Sequence, residues 1–359
     1  MSVFKVGSKP SKERNMFYDE RVDIARYDDV KYPKFEQLTN RQLGFFWRPE
    51  EIDLTRDSKE FKELSEPCKH IFTSNLKRQI LLDSIQGRAP NLAFLPIVSL
   101  PEAETFIETW TFSETIHSRS YTHIIRNIFS DPSEVFDNIT SIEEIALCAK
   151  DVSYYYDEVI KNNSNPNRKT LYEQKKDLWL CLNAVNALEG IRFYVSFACS
   201  WAFAEALKVM EGNAKTVKLI ARDENVHLSF TVNTLKYLPL EDPDFAKIKV
   251  ETADEVLLIM EAVTYQEMDW ADYLFAHGSM IGLSAELLKN YVEWIAAKRS
   301  SALGIKHQFK GGSNPLPWTQ RWIGGRDVQE APQETEKTSY ITGGVTRDMT
   351  AGMFKGVKL

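Results

Sequence analysis

The chain has 359 residues, of which 43% are hydrophobic and 26% charged, and its formal net charge is −7. This length allows a large core, and the composition is ordinary for a soluble globular protein. The acidic balance, with a pI near 5.6, argues against nucleic acid or an acidic membrane as a partner. No apolar signal core opens the chain, and the longest apolar stretch, residues 193–204, is too short to span a membrane.

Helical periodicity follows a polar, irregular start of about 30 residues. No alternating pattern typical of strands has a useful length. The periodicity predicts one large all-α bundle, a single domain over residues 1–323. The helices are expected over residues 32–46, 66–87, 101–129, 142–162, 171–210, 214–238, 244–275 and 284–304.

Residues 324–359 differ from the rest of the chain. They hold six of the sixteen glycines, several threonines and no sustained apolar period. This composition predicts a flexible C-terminal tail. Its last residues, 353–359, carry apolar side chains, which is typical of an arm that docks into a groove of a partner.

Two Glu-x-x-His motifs, Glu114–His117 and Glu224–His227, are the most informative feature of the chain. Positions i and i+3 lie on one face of a helix, so each motif directs a carboxylate and an imidazole to the same point. Asp83 lies 31 residues before the first motif, and Glu189 lies 35 residues before the second. A carboxylate followed by this motif, twice over, is the pattern of the dinuclear metal site in ferritin-like bundles.

The predicted ligands are four carboxylates and two imidazoles. This oxygen-rich set suits iron(II) or manganese(II), whereas a tetrahedral zinc site would more often use thiolates. A single Glu-x-x-His motif would more often be a pair of solvated helix residues. The motif occurs twice here, and an unpaired carboxylate in the apolar surroundings of Glu189 would be costly. We therefore predict a dinuclear site in the core, with the ligands Asp83, Glu114, His117, Glu189, Glu224 and His227.

Tyr121 lies four residues after His117 and should share its helix face. Two interpretations are open on spacing alone. Tyr121 is either a core aromatic with a satisfied hydroxyl or an oxidisable group beside a metal pair that activates oxygen.

Three apolar residues should surround the metals and Tyr121. Phe193 and Phe197 follow Glu189 by four and eight residues, and Ile220 precedes Glu224 by four. Each alone is an ordinary core residue. Together they predict a closed wall that keeps a reactive species away from water.

The four cysteines, Cys68, Cys148, Cys181 and Cys199, form no C-x-x-C pair. Their spacing predicts neither a disulfide framework nor a zinc site, and it favours a reducing cytoplasm. We expect each to be a small buried hydrophobic residue. The histidines outside the motifs lack ligand spacing and are expected to be surface or structural residues.

At these residues the chain resembles the small, radical-generating subunit of class I ribonucleotide reductase, in its bacterial and phage aerobic branch. The resemblance spans most of the chain, and the surroundings of Tyr121 are highly specific. It implies a di-iron centre, with two iron ions per chain and manganese as an alternative. Dioxygen then oxidises Tyr121 to a stable tyrosyl radical. The segments that carry the resemblance are residues 45–51, 81–88, 110–126, 186–199 and 220–224.

The same resemblance implies a path for the radical and a partner. Trp47, through Asp223 and His117, matches the family's transfer path. Tyr340 matches the tail tyrosine that carries the radical onward, and Glu334 matches a neighbouring tail acid. The C-terminal residues match the arm that binds the large catalytic subunit, which holds the nucleotide site and the thiols that reduce it. The resemblance further implies a cytoplasmic homodimer, in a bacterium or in the host cell of a phage.

Two other functions share the ligand pattern. Iron-storage or ferroxidase bundles are usually shorter and need no docking tail with a tyrosine. A di-iron oxygenase or desaturase needs an open substrate cavity, whereas the predicted apolar wall is closed.

The chain also departs from the family pattern. Gly190 stands where alanine is more common, and Asn225 stands where a small apolar residue is usual. Lys355 and Lys358 make the C-terminus basic, which indicates a matched partner.

Overall fold

The computed structural model describes residues 6–323, and most of these residues lie in helices. No strand occurs within this range, where the only extended pairings are two isolated bridges. The α-helices are α1 (Pro33–Gly44), α2 (Thr55–Glu63), α3 (Glu66–Gln86), α4 (Ala89–Phe94), α5 (Pro101–Ile128), α6 (Ser133–Phe136), α7 (Glu143–Ser164), α8 (Leu171–Ala187), α9 (Tyr194–Ala202), α10 (Glu211–Glu241), α11 (Pro243–Glu251), α12 (Ala253–Phe275) and α13 (Ala285–Leu303).

Most of the predicted helices begin and end within one turn of the observed bounds. Proline occupies the first turn of α1, α3, α5 and α11, where its missing N–H has no intrahelical partner to lose. The short helices α2, α4 and α6 were not predicted, because so few turns give no measurable periodicity.

Two predicted helices were wrong in detail. The helix expected over residues 171–210 is interrupted by two π-helical segments, Leu188–Arg192 and Phe203–Leu207, which flank α9. A π turn inserts one residue without ending the helix, so the apolar pattern runs through it. The helix expected over residues 244–275 divides at Thr252, whose hydroxyl donates to the Ile248 carbonyl at 2.7 Å.

The irregular N-terminal residues are held against the bundle by hydrogen bonds. The buried Arg14 guanidinium donates to the carbonyls of Lys9 and Arg21 and to the carboxylate of Asp23. The backbone N–H of Met16 donates to Glu241 at the end of α10, at 2.7 Å. The polar start of the chain is therefore an ordered arm from residue 6 onward.

All four cysteines of the chain are buried and none forms a disulfide. Burial raises the pKa of the Cys181 thiol and raises the pKa of Cys199 to about 12. Both effects disfavour the thiolate, which is the reactive form. The expectation that all four are buried is confirmed, but Cys148 is not only a hydrophobic side chain, because its sulfur accepts a hydrogen bond from Arg192 at 3.1 Å.

The helices that carry the Glu-x-x-His motifs lie at the centre of the bundle. Helix α3 packs on α5, α5 packs on α10, and α10 packs on α8 and on the π segment Leu188–Arg192. No helix within residues 6–323 combines the length and the apolar character that crossing a membrane requires. The predicted tail, residues 324–359, lies outside the described residues.

Candidate metal centre

All six predicted ligands meet in the core, and each side chain is 0% exposed. Four different segments supply them, which explains why they are distant in sequence. Asp83 comes from the last turn of α3, and Glu189 comes from the π segment after α8. Helices α5 and α10 each supply one Glu-x-x-His pair.

The ligand atoms form two groups that share one carboxylate. One group is Asp83, Glu114 and His117, and within it the candidate ligand atoms lie within 4.8 Å of one another. The other group, with the same spacing, is Glu114, Glu189, Glu224 and His227. Two adjacent groups that share Glu114 are suited to holding two metal ions.

Both imidazoles direct Nδ1 toward the carboxylates. The His117 Nδ1 atom lies 3.1 Å from Glu114 and 3.3 Å from Glu224. The His227 Nδ1 atom lies 3.0 Å from Glu114 and 3.2 Å from Glu224. Glu114 and Glu224 therefore each contact both histidines.

The unpaired polar atoms of the cluster fit cations. By hydrogen-bond geometry, neither Asp83 oxygen nor Glu189 Oε2 is paired within residues 6–323. Burying one unpaired charge costs several kcal/mol, whereas a net hydrogen bond returns only about 1 kcal/mol. Two divalent ions would neutralise four carboxylates and satisfy these oxygens.

The pKa shifts of the candidate ligands also favour bound cations. Burial, and then the charges of nearby carboxylates, raise the pKa of Asp83 and the pKa of Glu189. Burial alone would lower the pKa of His117 and His227, but hydrogen bonds to carboxylates outweigh it and raise both. Without metal, protons partly compensate the carboxylate charge, and bound cations would replace them.

Tyr121 is fully buried on α5 and lies beside the candidate ligand Asp83. Burial raises the pKa of Tyr121, and the charge and hydrogen bonding of Asp83 raise it further. The phenol is therefore neutral. The two interpretations that spacing left open, a core aromatic and an oxidisable group, are separated by the radical measurements described below.

The three residues of the predicted wall are each 0% exposed. Phe193 and Phe197 stack with their ring centroids 5.6 Å apart. Ile220 lies one turn before Glu224 on α10. Water is therefore excluded on the side formed by α9 and α10.

A chain of hydrogen bonds links Trp47 to the cluster. The Trp47 Nε1–H donates to Asp223 Oδ2 at 2.9 Å, and the same oxygen lies 3.3 Å from His117 Nε2. Burial alone would raise the pKa of Asp223, but the Arg222 charge and these hydrogen bonds lower it. Asp223 therefore remains a carboxylate between the indole and the imidazole. The other residues of the implied path, Glu334 and Tyr340, lie outside the described residues.

Sequence reasoning missed the polar residues that orient the ligands. The Gln86 amide donates to Glu189, and the Tyr156 hydroxyl donates to Gln86 at 2.8 Å. The Trp110 Nε1–H donates to Glu114 at 3.0 Å. Helical spacing could have found two of them, since Gln86 lies three residues after Asp83 and Trp110 four before Glu114.

Gly190, next to Glu189, is explained by close packing. A Cβ at this position would lie 3.2 Å from Leu228 Cδ1 and 3.3 Å from Arg299 Cγ. Arg299 lies here because its guanidinium donates to the Gly190 carbonyl at 3.2 Å and to the Tyr194 hydroxyl at 2.9 Å. An alanine would require these side chains to shift.

The chain is similar to known proteins over nearly its whole length. Residues 25–315 match the family model described as ribonucleotide reductase, small chain. The chain is 50% identical to the ribonucleoside-diphosphate reductase subunit beta of Haemophilus influenzae, covering 100% of this chain and 99% of that protein. It is 52% identical to ribonucleoside-diphosphate reductase 1 subunit beta of Escherichia coli O157:H7, covering 93% of each. A solved ribonucleotide reductase R2 subunit from Clostridium botulinum has the same fold, with a TM-score of 0.79, 24% identity, and coverage of 90% of this chain and 98% of that chain.

Proposed function

Because the chain belongs to the ribonucleotide reductase small-chain family, we propose that its buried cluster holds two metal ions and that Tyr121 carries the radical. The chain is the radical-generating small subunit of a ribonucleotide reductase, an oxidoreductase that acts with a large subunit. One observation carries the finer proposal. Two ligand groups share Glu114, and a fully buried tyrosine lies beside Asp83 of the first group.

Asp83, Glu114 and His117 would hold one ion, and Glu189, Glu224 and His227 would hold the other, with Glu114 shared. We propose iron as the metal, with manganese as the alternative that the same ligands accept. When bound, two iron ions supply the one-electron oxidation of Tyr121 at the expense of dioxygen.

The surrounding residues protect and direct this oxidation. Because the phenol of Tyr121 is neutral, losing an electron requires its Oη proton to leave as well. Asp83, whose charge acts on that hydroxyl, is the neighbouring acceptor. Phe193, Phe197 and Ile220 keep water and external reductants away from the oxidised ring.

We propose that His117, Asp223 and Trp47 form the first part of a radical-transfer path that leads away from this site. Their contacts of 2.9 and 3.3 Å allow a proton on the indole or the imidazole to move when an electron moves. Tyr340, with Glu334 near it in sequence, would then carry the radical to the large subunit.

Electron paramagnetic resonance tests the function directly. After anaerobic loading with iron(II) and exposure to oxygen, the protein should show a stable tyrosyl doublet. An iron-storage bundle or a di-iron oxygenase would consume oxygen and leave no such doublet. A fully loaded protein without the doublet would contradict the proposal.

The tail is proposed to dock the large subunit and to carry the radical across, and these two roles separate experimentally. Deleting residues 345–359 should weaken association, because the terminal apolar side chains are lost, while the Tyr121 radical still forms. Tyr340→Phe keeps the ring, so association should persist. Nucleotide reduction should nevertheless fall to background, because the oxidisable O–H is absent. Binding, radical yield and turnover are measured side by side.

Two outcomes would contradict these roles. Normal turnover in Tyr340→Phe would remove Tyr340 from the transfer path and leave the tail as a tether. Unchanged association after the deletion would place the docking residues elsewhere in the chain.

We further propose a cytoplasmic homodimer that forms through an exposed apolar patch on α1 and α5. Leu43, Phe46 and Phe112 are 57, 56 and 53% exposed, and the two phenylalanine rings stack at 6.1 Å. Apolar side chains this large and this close together are typical of the core of an interface.

Phe112→Glu should convert the dimer to a monomer, because it places a charge at the centre of this patch. Analytical ultracentrifugation measures the change. Leu240→Glu is the matched control, since Leu240 is 83% exposed at the far end of α10 and should leave the dimer intact. A dimer of normal affinity in Phe112→Glu would place the interface elsewhere.

A further inference from the structure

Residues 321–323, the last that the structure describes, contact α10 and the π segment Phe203–Leu207. The proposed radical chemistry does not use these contacts. A short 3₁₀ helix, Pro317–Arg321, leads into Trp322 and Ile323. The Trp322 Nε1–H donates to Glu205 at 2.8 Å, and Arg321 pairs with the same carboxylate at 2.6 Å. We call Trp322 and Ile323 the tail root, because residues 324–359 continue from them.

Asn225 provides a second attachment. It lies on α10 immediately after the candidate ligand Glu224, and its amide carries two hydrogens. One is donated to the Ala221 carbonyl at 2.7 Å within the helix. The other is donated to the Ile323 carbonyl at 2.9 Å. An alanine at this position would have no donor for the second bond.

Aromatic packing provides a third attachment of the tail root. The Trp322 ring stacks on Trp201 with centroids 6.2 Å apart and planes at 14°. Trp201, in turn, packs on Phe197 of the apolar wall at 5.6 Å. The tail root is thus joined both to α10 and to the π segment Phe203–Leu207, where Glu205 lies.

We propose that Asn225 and Glu205 form an anchor that sets where the docking tail leaves the body of the subunit. This inference rests on the proposed docking function of the tail. Fixing the root restricts the positions that the rest of the tail can reach, which raises its effective concentration at the partner's groove. Asn225 is a positioning residue in this scheme, since it contacts neither metal nor radical.

Asn225→Ala in the full-length protein tests the anchor. Removing one hydrogen bond, worth about 1 kcal/mol, should speed hydrogen exchange of the amides of residues 319–323 about fivefold. The Ile323 N–H, which donates to Thr319 at 3.0 Å, reports this opening. The dissociation constant for the large subunit of the same reductase should rise by a similar factor, while metal content and Tyr121 radical yield stay the same.

Asn233→Ala is the matched control. Asn233 also lies on α10, is half-buried, and donates its amide to the carbonyl four residues earlier, Ser229, at 2.7 Å. Asn233 makes no hydrogen bond to Trp322 or Ile323, so exchange and affinity should equal those of the unmodified protein. Glu205→Gln should speed exchange as Asn225→Ala does, because it removes the charge that pairs with Arg321.

Three results discriminate the possibilities. Equal hydrogen-exchange rates of residues 319–323 in Asn225→Ala and Asn233→Ala would show that Asn225 does not anchor the tail root. Faster exchange with unchanged affinity would overturn the positioning role. If deleting residues 345–359 leaves affinity unchanged, the docking function itself fails, and that result is distinct because it does not depend on exchange at the root.

Discussion

Replacing Tyr121 with phenylalanine should abolish the stable radical signal and lower nucleotide reduction to background. Phenylalanine keeps the ring but lacks the O–H that is oxidised. Removal of this hydroxyl should change the free energy of unfolding by no more than about 1 kcal/mol, the net contribution of one hydrogen bond. Metal loading should be normal, because all six candidate ligands remain. Electron paramagnetic resonance after iron and oxygen treatment measures the signal.

Tyr291→Phe is the control for this experiment. Tyr291 is also 0% exposed, but it lies on α13, which carries none of the candidate ligands. This variant should form the radical in normal yield. A signal of normal yield in Tyr121→Phe would place the radical on another residue.

Removal of the Glu114 side chain should have the second large effect, loss of both metal ions. Glu114 belongs to both ligand groups and contacts both histidines, so no ion keeps its full set without it. His227→Ala removes a ligand from one group only and should leave about one ion per chain. Metal analysis of the purified, reloaded proteins distinguishes the two variants, and radical formation should fail in both.

Glu102→Gln serves as the control for metal loading. Glu102 is a buried acid on the same helix as Glu114, and it accepts hydrogen bonds from the backbone of Lys31 and Tyr32. An amide oxygen can accept these bonds, so loading should stay complete. Full loading in Glu114→Ala would mean that this residue is not a ligand.

The positions of the six clustered residues were predictable because helical spacing brings i and i+3 together. The doubled motif can be recognised without knowing how the helices pack. The burial of Glu189 follows from the apolar residues around it in the sequence. The orienting contacts of Gln86 and Trp110 were only partly predictable. Spacing places Gln86 on the face of Asp83 and Trp110 on the face of Glu114, but the rotamers that complete the two hydrogen bonds are not visible in the sequence.

The helical fold was predictable for similar reasons, and its interruptions were not. A π turn keeps the hydrophobic pattern nearly unchanged, so Leu188–Arg192 and Phe203–Leu207 resemble ordinary helix in sequence. These segments nevertheless decide where Glu189 and Glu205 point. The departure at Asn225 was visible in the sequence, but its bond to Ile323 appears only when α10 and the tail root are seen side by side.

The burial of every cysteine matters for an enzyme whose large subunit, as the family resemblance implies, works with reactive thiols. Thiol–disulfide exchange requires a thiolate that can reach a foreign sulfur atom. Cys148, Cys181 and Cys199 are 0% exposed and Cys68 is 7% exposed, so none offers such an encounter while the protein is folded. A large subunit that works with a reactive dithiol would therefore meet no accessible thiol on this subunit with which to form a mixed disulfide.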